Sequence, residues 1–174
     1  LNSDGTRVAI GATGSDSGHV RIYQYSNSTW TQLGVDIDGE SSGDQSGRSV
    51  SLSSDGTRVA IGAIGNTENG FRSGHVRIYQ LDGSSWNQLG SDIDGESPFD
   101  VFGRSVSLSA DGTILAIGAD GDDGGGYNAG QVKVYSLNGV EPTTSTNGVE
   151  SSLPEAGICT VSYTHLTLPT IYSV

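Results

Sequence analysis

The chain has 174 residues, 33% of them hydrophobic, with 27 glycines, 4 prolines, no methionine and a formal net charge of −12. Such a length can bury one core, while the charge argues against nucleic acid and anionic lipid, whose phosphates would be repelled with no basic stripe to receive them. The one cysteine, Cys159, leaves no disulfide framework and no cysteine-based zinc site, and no apolar run approaches the roughly 20 residues of a membrane-spanning helix.

The first element announces a repeat. "SDGTRVAIGA" at 3–12 returns unchanged at 54–63 and as "ADGTILAIGA" at 110–119. "GHVRIYQ" at 18–24 returns at 74–80 and as "GQVKVYS" at 130–136. Trp30 and Trp86 are 56 residues apart, as are Gly47 and Gly103 of "GRSVSLS", but Asp4 and Asp55 are only 51 apart. The missing residues fall between "GA" and "GHV", so that segment is a loop of variable length in an otherwise fixed frame.

Within one repeat, four short pieces have strand character. In "RSVSLS" Val50 and Leu52 share a face, and Asp55-Gly56 follows as a dipeptide suited to a type I′ hairpin. "TRVAIGA" sets Val59 and Ile61 on one face and the small Ala60 and Gly62 on the other, where neighbouring backbone could approach. "HVRIYQ" is β-branched and aromatic; a turn at Asp82-Gly83, or Asn138-Gly139 in the next copy, leads to the fourth piece, "WNQLGSDI". Helical periodicity appears nowhere. Four antiparallel strands per 50–56 residues predict an all-β fold of β-propeller type, an open arc of about three partial blades. The expected division is a partial first blade at 1–46, a second at 47–102 and a partial third at 103–136.

"FGRSVSLSADGTILAIGA" at 102–119, followed by "GQVKVY", resembles an FG-GAP repeat, the blade unit of integrin α-subunit propellers and of many secreted or surface proteins. The earlier copy has Ser46 in place of the phenylalanine. The resemblance covers residues 1 to about 136 and implies a binding or adhesion role outside the cell.

In the third repeat Pro142 stands where the period calls for tryptophan, within a Ser/Thr/Pro/Gly-rich stretch at 137–160 that reads as a linker or altered last strand. The final "VSYTHLTLPTIYSV" at 161–174 resembles, codon for codon, a translated transposase end and sequencing adapter. It is expected to be a disordered artefact, with the chain a fragment cut at both ends, so His165 and Pro169 carry no function.

Alternate connections of an antiparallel meander share one end of the sheet, which places the variable loops and both "DIDGE" segments together. By position, that face holds thirteen of the 20 acidic residues, including Asp16, Glu68 and Asp120 to Asp123, against one loop arginine, Arg72. Asp36, Asp38, Glu40 and Asp44, and again Asp92, Asp94, Glu96 and Asp100, fall at positions 1, 3, 5 and 9, a spacing that suits calcium. Against it, the FG-GAP family's calcium loop resembles D-x-D-x-D-G-x-x-D between the first two strands; here glycine sits at position 4 and that link is a short hairpin. Calcium ligands and structural turns both remain open readings. Strand cations such as Arg21, Arg77 and Lys133 read as paired or solvated. His19 and His75 occupy equivalent positions, with Gln131 in the third copy, and read as surface strand residues. Asn27-Ser28-Thr29 is a glycosylation sequon in a turn.

The expected function is a non-catalytic binding or adhesion module, extracellular or at the cell surface. Its acidic loop face would meet a protein or carbohydrate ligand, with no nucleic acid and no membrane insertion. The alternative is a blade set from a secreted hydrolase whose catalytic residues lie outside this sequence. A binding scaffold would continue in near-identical blades, whereas an enzyme would break the repeat with an acid or base near the axis.

Overall fold

The computed structural model describes residues 1–14, 16–122 and 129–139. The expectations for Pro142, Cys159, most of the linker and the adapter-like tail, and for Asp123, lie outside the described residues. Among the described residues there is no helix, and twelve strands form three antiparallel sheets. The first sheet holds β1 (Arg7–Ala12), β2 (His19–Ser26), β3 (Thr29–Gln32) and β4 (Ile37–Asp38). The second holds β5 (Ser46–Leu52), β6 (Arg58–Ala63), β7 (His75–Asp82), β8 (Ser85–Gln88) and β9 (Ile93–Asp94). The third holds β10 (Ser105–Leu108), β11 (Ile114–Ala119) and β12 (Gln131–Ser136). These are propeller-type blades in an open arc.

The blades bury their faces against one another, and the alternation in β6 sets the pattern. Val59 and Ile61 join Val20, Ile22, Ile37 and Tyr79 in a core between the first two blades. Ala60, on the opposite face, joins Val76, Ile78, Leu89, Phe102, Leu115 and Ile117 between the second and third. Each such aliphatic side chain contributes about 1.5–3 kcal/mol on burial. Gly62 belongs to the small-residue face for a steric reason. A Cβ there would overlap the Gly103 carbonyl of the next blade, and one on Gly11 would overlap that of Gly47.

At the two ends of the arc, no neighbouring blade covers the same positions among the described residues. Ile10 is 50% exposed where its counterpart Ile61 is 1% exposed, and Val132 is 49% exposed where Val76 is fully buried.

Two local expectations are corrected. The link at Asp55-Gly56 is not a type I′ turn: only Gly56 takes a left-handed φ, 67°, and its N–H donates to the Ser53 carbonyl. The Asp55 carboxylate instead accepts from the Thr57 N–H and hydroxyl, locking the connection through its side chain. The fourth strand is also not continuous. After Leu89 donates to Ile78 the chain bends at Gly90, φ 74°, and rejoins β7 only at Ile93 and Asp94. The sequon turn does take the two-residue form, with Asn27 and Ser28 exposed at φ 50° and 62°.

Candidate functional site

In the first two blades, the loop before the His19 or His75 strand lies beside the connection that leaves the blade. In the second blade Asn69 donates its amide to the Gly95 carbonyl at 2.9 Å, the Phe99 N–H donates to Phe71 and the Val101 N–H to Arg72. In the first blade the Gly43 N–H donates to Asp16 and the Ser46 N–H to Ser17. The next blade's loop then docks on this connection, Gly65 donating to the Asp44 carbonyl and Gly121 to that of Asp100. The acidic segments are therefore fixed by backbone bonds on both sides.

Each DIDGE segment begins as the short returning strand. Ile37 pairs with Val20 and Asp38 with His19; Ile93 pairs with Val76 and Asp94 with His75. The glycine in fourth place serves packing, since a Cβ on Gly39 would overlap the Ser17 carbonyl and one on Gly95 that of Ser73. Asp44 and Asp100, both buried, cap the following turns by accepting the Ser41 and Ser97 N–H groups at 2.9 and 2.8 Å.

The glutamates reach across to the next blade. Glu40 lies 3.4 Å from Arg77, and Glu96 lies 2.5 Å from Lys133, in both cases 37 positions further on. Arg77, almost wholly buried, also donates to the Asp38 carbonyl at 2.7 Å and stacks over Tyr79 at 5.7 Å. Arg21 has no such neighbour among the described residues. It turns to Asp36 in its own blade, with bonds of 2.8–3.0 Å to both carboxylate oxygens. Those bonds, with the Gln32 amide, hold the Asp36 carboxyl down at about 2.

In neither copy do the four carboxylates at positions 1, 3, 5 and 9 converge: Asp36 faces Arg21, Asp44 and Asp100 cap turns, and Glu96 faces Lys133. Calcium takes six to eight oxygens, and neither copy alone gathers such a set. What the structure does gather is one group across the junction of the first two blades and one beside it within the second blade. Among the described residues, ligand atoms of Glu40, His75 and Asp92 lie within 4.8 Å of one another, and so do those of Glu68, Asp92 and Asp94.

His75 corrects a sequence expectation, because it is fully buried rather than a surface residue. It starts β7 at the seam with the first blade, where the packed strands cover its ring. Its Nδ1 lies 3.5 Å from Asp92 and 3.9 Å from Asp94, and neither ring nitrogen has a hydrogen-bond partner. Burial, then the Arg77 charge, hold the imidazolium pKa below its ordinary value. Burial raises the Glu40 and Asp94 carboxyls above their ordinary values, with further pressure from Asp92 on both and from Glu68 on Asp94. Sequence reasoning grouped His75 with His19; the available signal was Gln131, the one substitution in that column.

A family model described as FG-GAP repeat matches residues 35–79 and 91–135, together more than half of the chain. The chain belongs to this family. The two matches are each offset from one sheet, running from the end of one blade into the third strand of the next, as the interlocked FG-GAP blades here require. Among solved structures, the crystal structure of TolB from Acinetobacter baumannii is similar at 16% identity with a TM-score of 0.47, covering 82% of this chain and 30% of that one. The chain thus spans less than a third of that structure's length. No curated protein matches.

Proposed function

We propose that this FG-GAP propeller arc is a non-catalytic binding or adhesion module, displayed outside the cell or on its surface, whose loop face takes a protein or carbohydrate ligand. The observation that carries the reading is an aromatic pair on that face. Phe71 and Phe99 are 62% and 60% exposed, with ring centroids 5.4 Å apart in an edge-on arrangement. The Phe99 N–H donates to the Phe71 carbonyl, and Phe99 itself sits at φ 69°, so interlocked loops hold the two rings outward. Exposed aromatic rings present large apolar area at low entropic cost, which suits a sugar face or an apolar anchor on a protein. The surrounding carboxylates favour a ligand with basic or hydroxyl groups.

An enzymatic role finds less support among the described residues. The buried imidazole among them, His75, has no exposed surface through which a substrate could reach it. The test is binding of the purified chain to immobilised polysaccharides and to basic and neutral extracellular proteins. Saturable binding lost at least tenfold in Phe71→Ala and in Phe99→Ala is expected. Binding that ignores both substitutions, or no binding on any surface, would remove the reading.

A further inference from the structure

We propose that the junction of the first two blades is a binding site for one first-row divalent transition ion of the zinc class, held by His75, Asp92 and Glu40, with Asp94 and Glu68 beside it. Carboxylates alone would not make this argument. The decisive group is His75, whose ring is fully buried, has no hydrogen-bond partner at either nitrogen, and turns Nδ1 toward Asp92 and Asp94. A buried imidazole left without a partner is costly, and a metal ion would satisfy it.

The spacing fits such an ion. Two ligands at about 2.0–2.1 Å from a tetrahedral centre stand about 3.3 Å apart, close to the 3.5 Å between His75 Nδ1 and Asp92 Oδ2. Glu40 brings a third ligand atom within the same 4.8 Å group. Electrostatics points the same way. Glu40, Glu68, Asp92 and Asp94 gather four carboxylates about Arg77, so a divalent ion would offset much of the remaining negative charge. Access comes from the carboxylate side, where the side chains of Asp92, Asp94 and Glu40 are all partly exposed.

The mixed nitrogen and oxygen donors select a borderline ion over calcium, which prefers oxygen alone. Asp36, Asp38, Asp44, Glu96 and Asp100 fall in neither of the two groups found among the described residues. The second junction is a natural contrast: Gln131 replaces the histidine there, and Lys133 holds Glu96 at 2.5 Å, closer than the 3.4 Å between Arg77 and Glu40.

This site is independent of the ligand face proposed above, so either can fail alone. After treatment with a chelator, the chain is titrated with zinc by calorimetry, and with cobalt(II) by visible absorption. One equivalent of zinc should bind and raise the melting temperature, with calcium binding at least tenfold more weakly. The cobalt complex should show the intense absorption of a low-coordinate site with nitrogen donors. His75→Gln and Asp92→Asn should each weaken zinc binding at least tenfold, whereas Asp38→Asn should leave it unchanged. Far-UV circular dichroism checks folding, and if His75→Gln unfolds, Asp92→Asn and Glu40→Gln carry the test. No zinc binding at millimolar concentration, calcium bound as tightly as zinc, or folded site variants that bind like the parent would each overturn the proposal.

Discussion

The two DIDGE segments have the same five residues and the same backbone path, yet opposite electrostatics. In the first, Asp36 is neutralised by Arg21 within its own blade. In the second, the equivalent Arg77 is drawn to Glu40 and the Asp38 carbonyl of the preceding blade, leaving Asp92 and Asp94 crowded against His75. Gln32 and Gln88 donate to Asp36 and Asp92 alike, at 2.7 and 2.6 Å, so the difference does not arise within the segment. It comes from what packs on the preceding side. A repeat copies residues, and the neighbouring blade assigns their partners.

The comparison can be broken most severely at the phenylalanine that only the second junction has. Phe102 is buried between the second and third blades, and Phe102→Ala should cost about 3–5 kcal/mol in urea unfolding. Its counterpart Ser46 is buried with no partner for its hydroxyl, so Ser46→Ala should be neutral or slightly stabilising in the same assay. Equal effects would mean that the two junctions are packed alike.

Next come the glycines that the copies share. Gly39→Ala and Gly95→Ala should each destabilise by roughly 1–3 kcal/mol, because both force a Cβ against a carbonyl. A neutral result at either would show that this position serves something other than close packing.

The cations should separate the copies. Arg77→Ala strands Glu40 and the Asp38 carbonyl at a seam and should lower stability by about 2–3 kcal/mol. Arg21→Ala, on an exposed pair, should have a small effect that fades as salt rises. A salt-insensitive loss at Arg21 would remove the distinction.

The smallest effect is in the pH profile, and the two copies contribute with opposite sign. Asp36 has its folded pKa lowered to about 2, so its contribution is complete above the ordinary carboxylate value and is lost as pH falls toward 2. Asp94 has its folded pKa raised, so its contribution is complete below the ordinary value and is lost as pH rises through the folded one. Asp94→Asn should therefore flatten the decline of melting temperature on the alkaline side of about pH 4, and Asp36→Asn the decline on the acid side. The same slope in both variants would show that neither carboxyl is perturbed as described.

Much of the fold was legible because each blade is built from short-range rules. Period-two alternation separated Val59 and Ile61 from Ala60 and Gly62, and that assignment of faces is the one that packs. The hairpin geometry was less legible, since the Asp55 carboxylate ties the turn in a way that the Asp-Gly dipeptide alone does not specify. The candidate site was least legible. Its members come from four separate stretches at residues 40, 68, 75 and 92–94, and no linear spacing links them.

The sequence by itself determined the repeat, the strands, the faces they bury and the family, because these depend on side-chain alternation and turn chemistry within about 56 residues. The tertiary structure decided which carboxylate meets which cation and that His75 is sealed inside a seam. Those outcomes depend on distances across a blade junction, where segments far apart in sequence meet and the burial of His75 and Arg77 limits the screening of their charges by water.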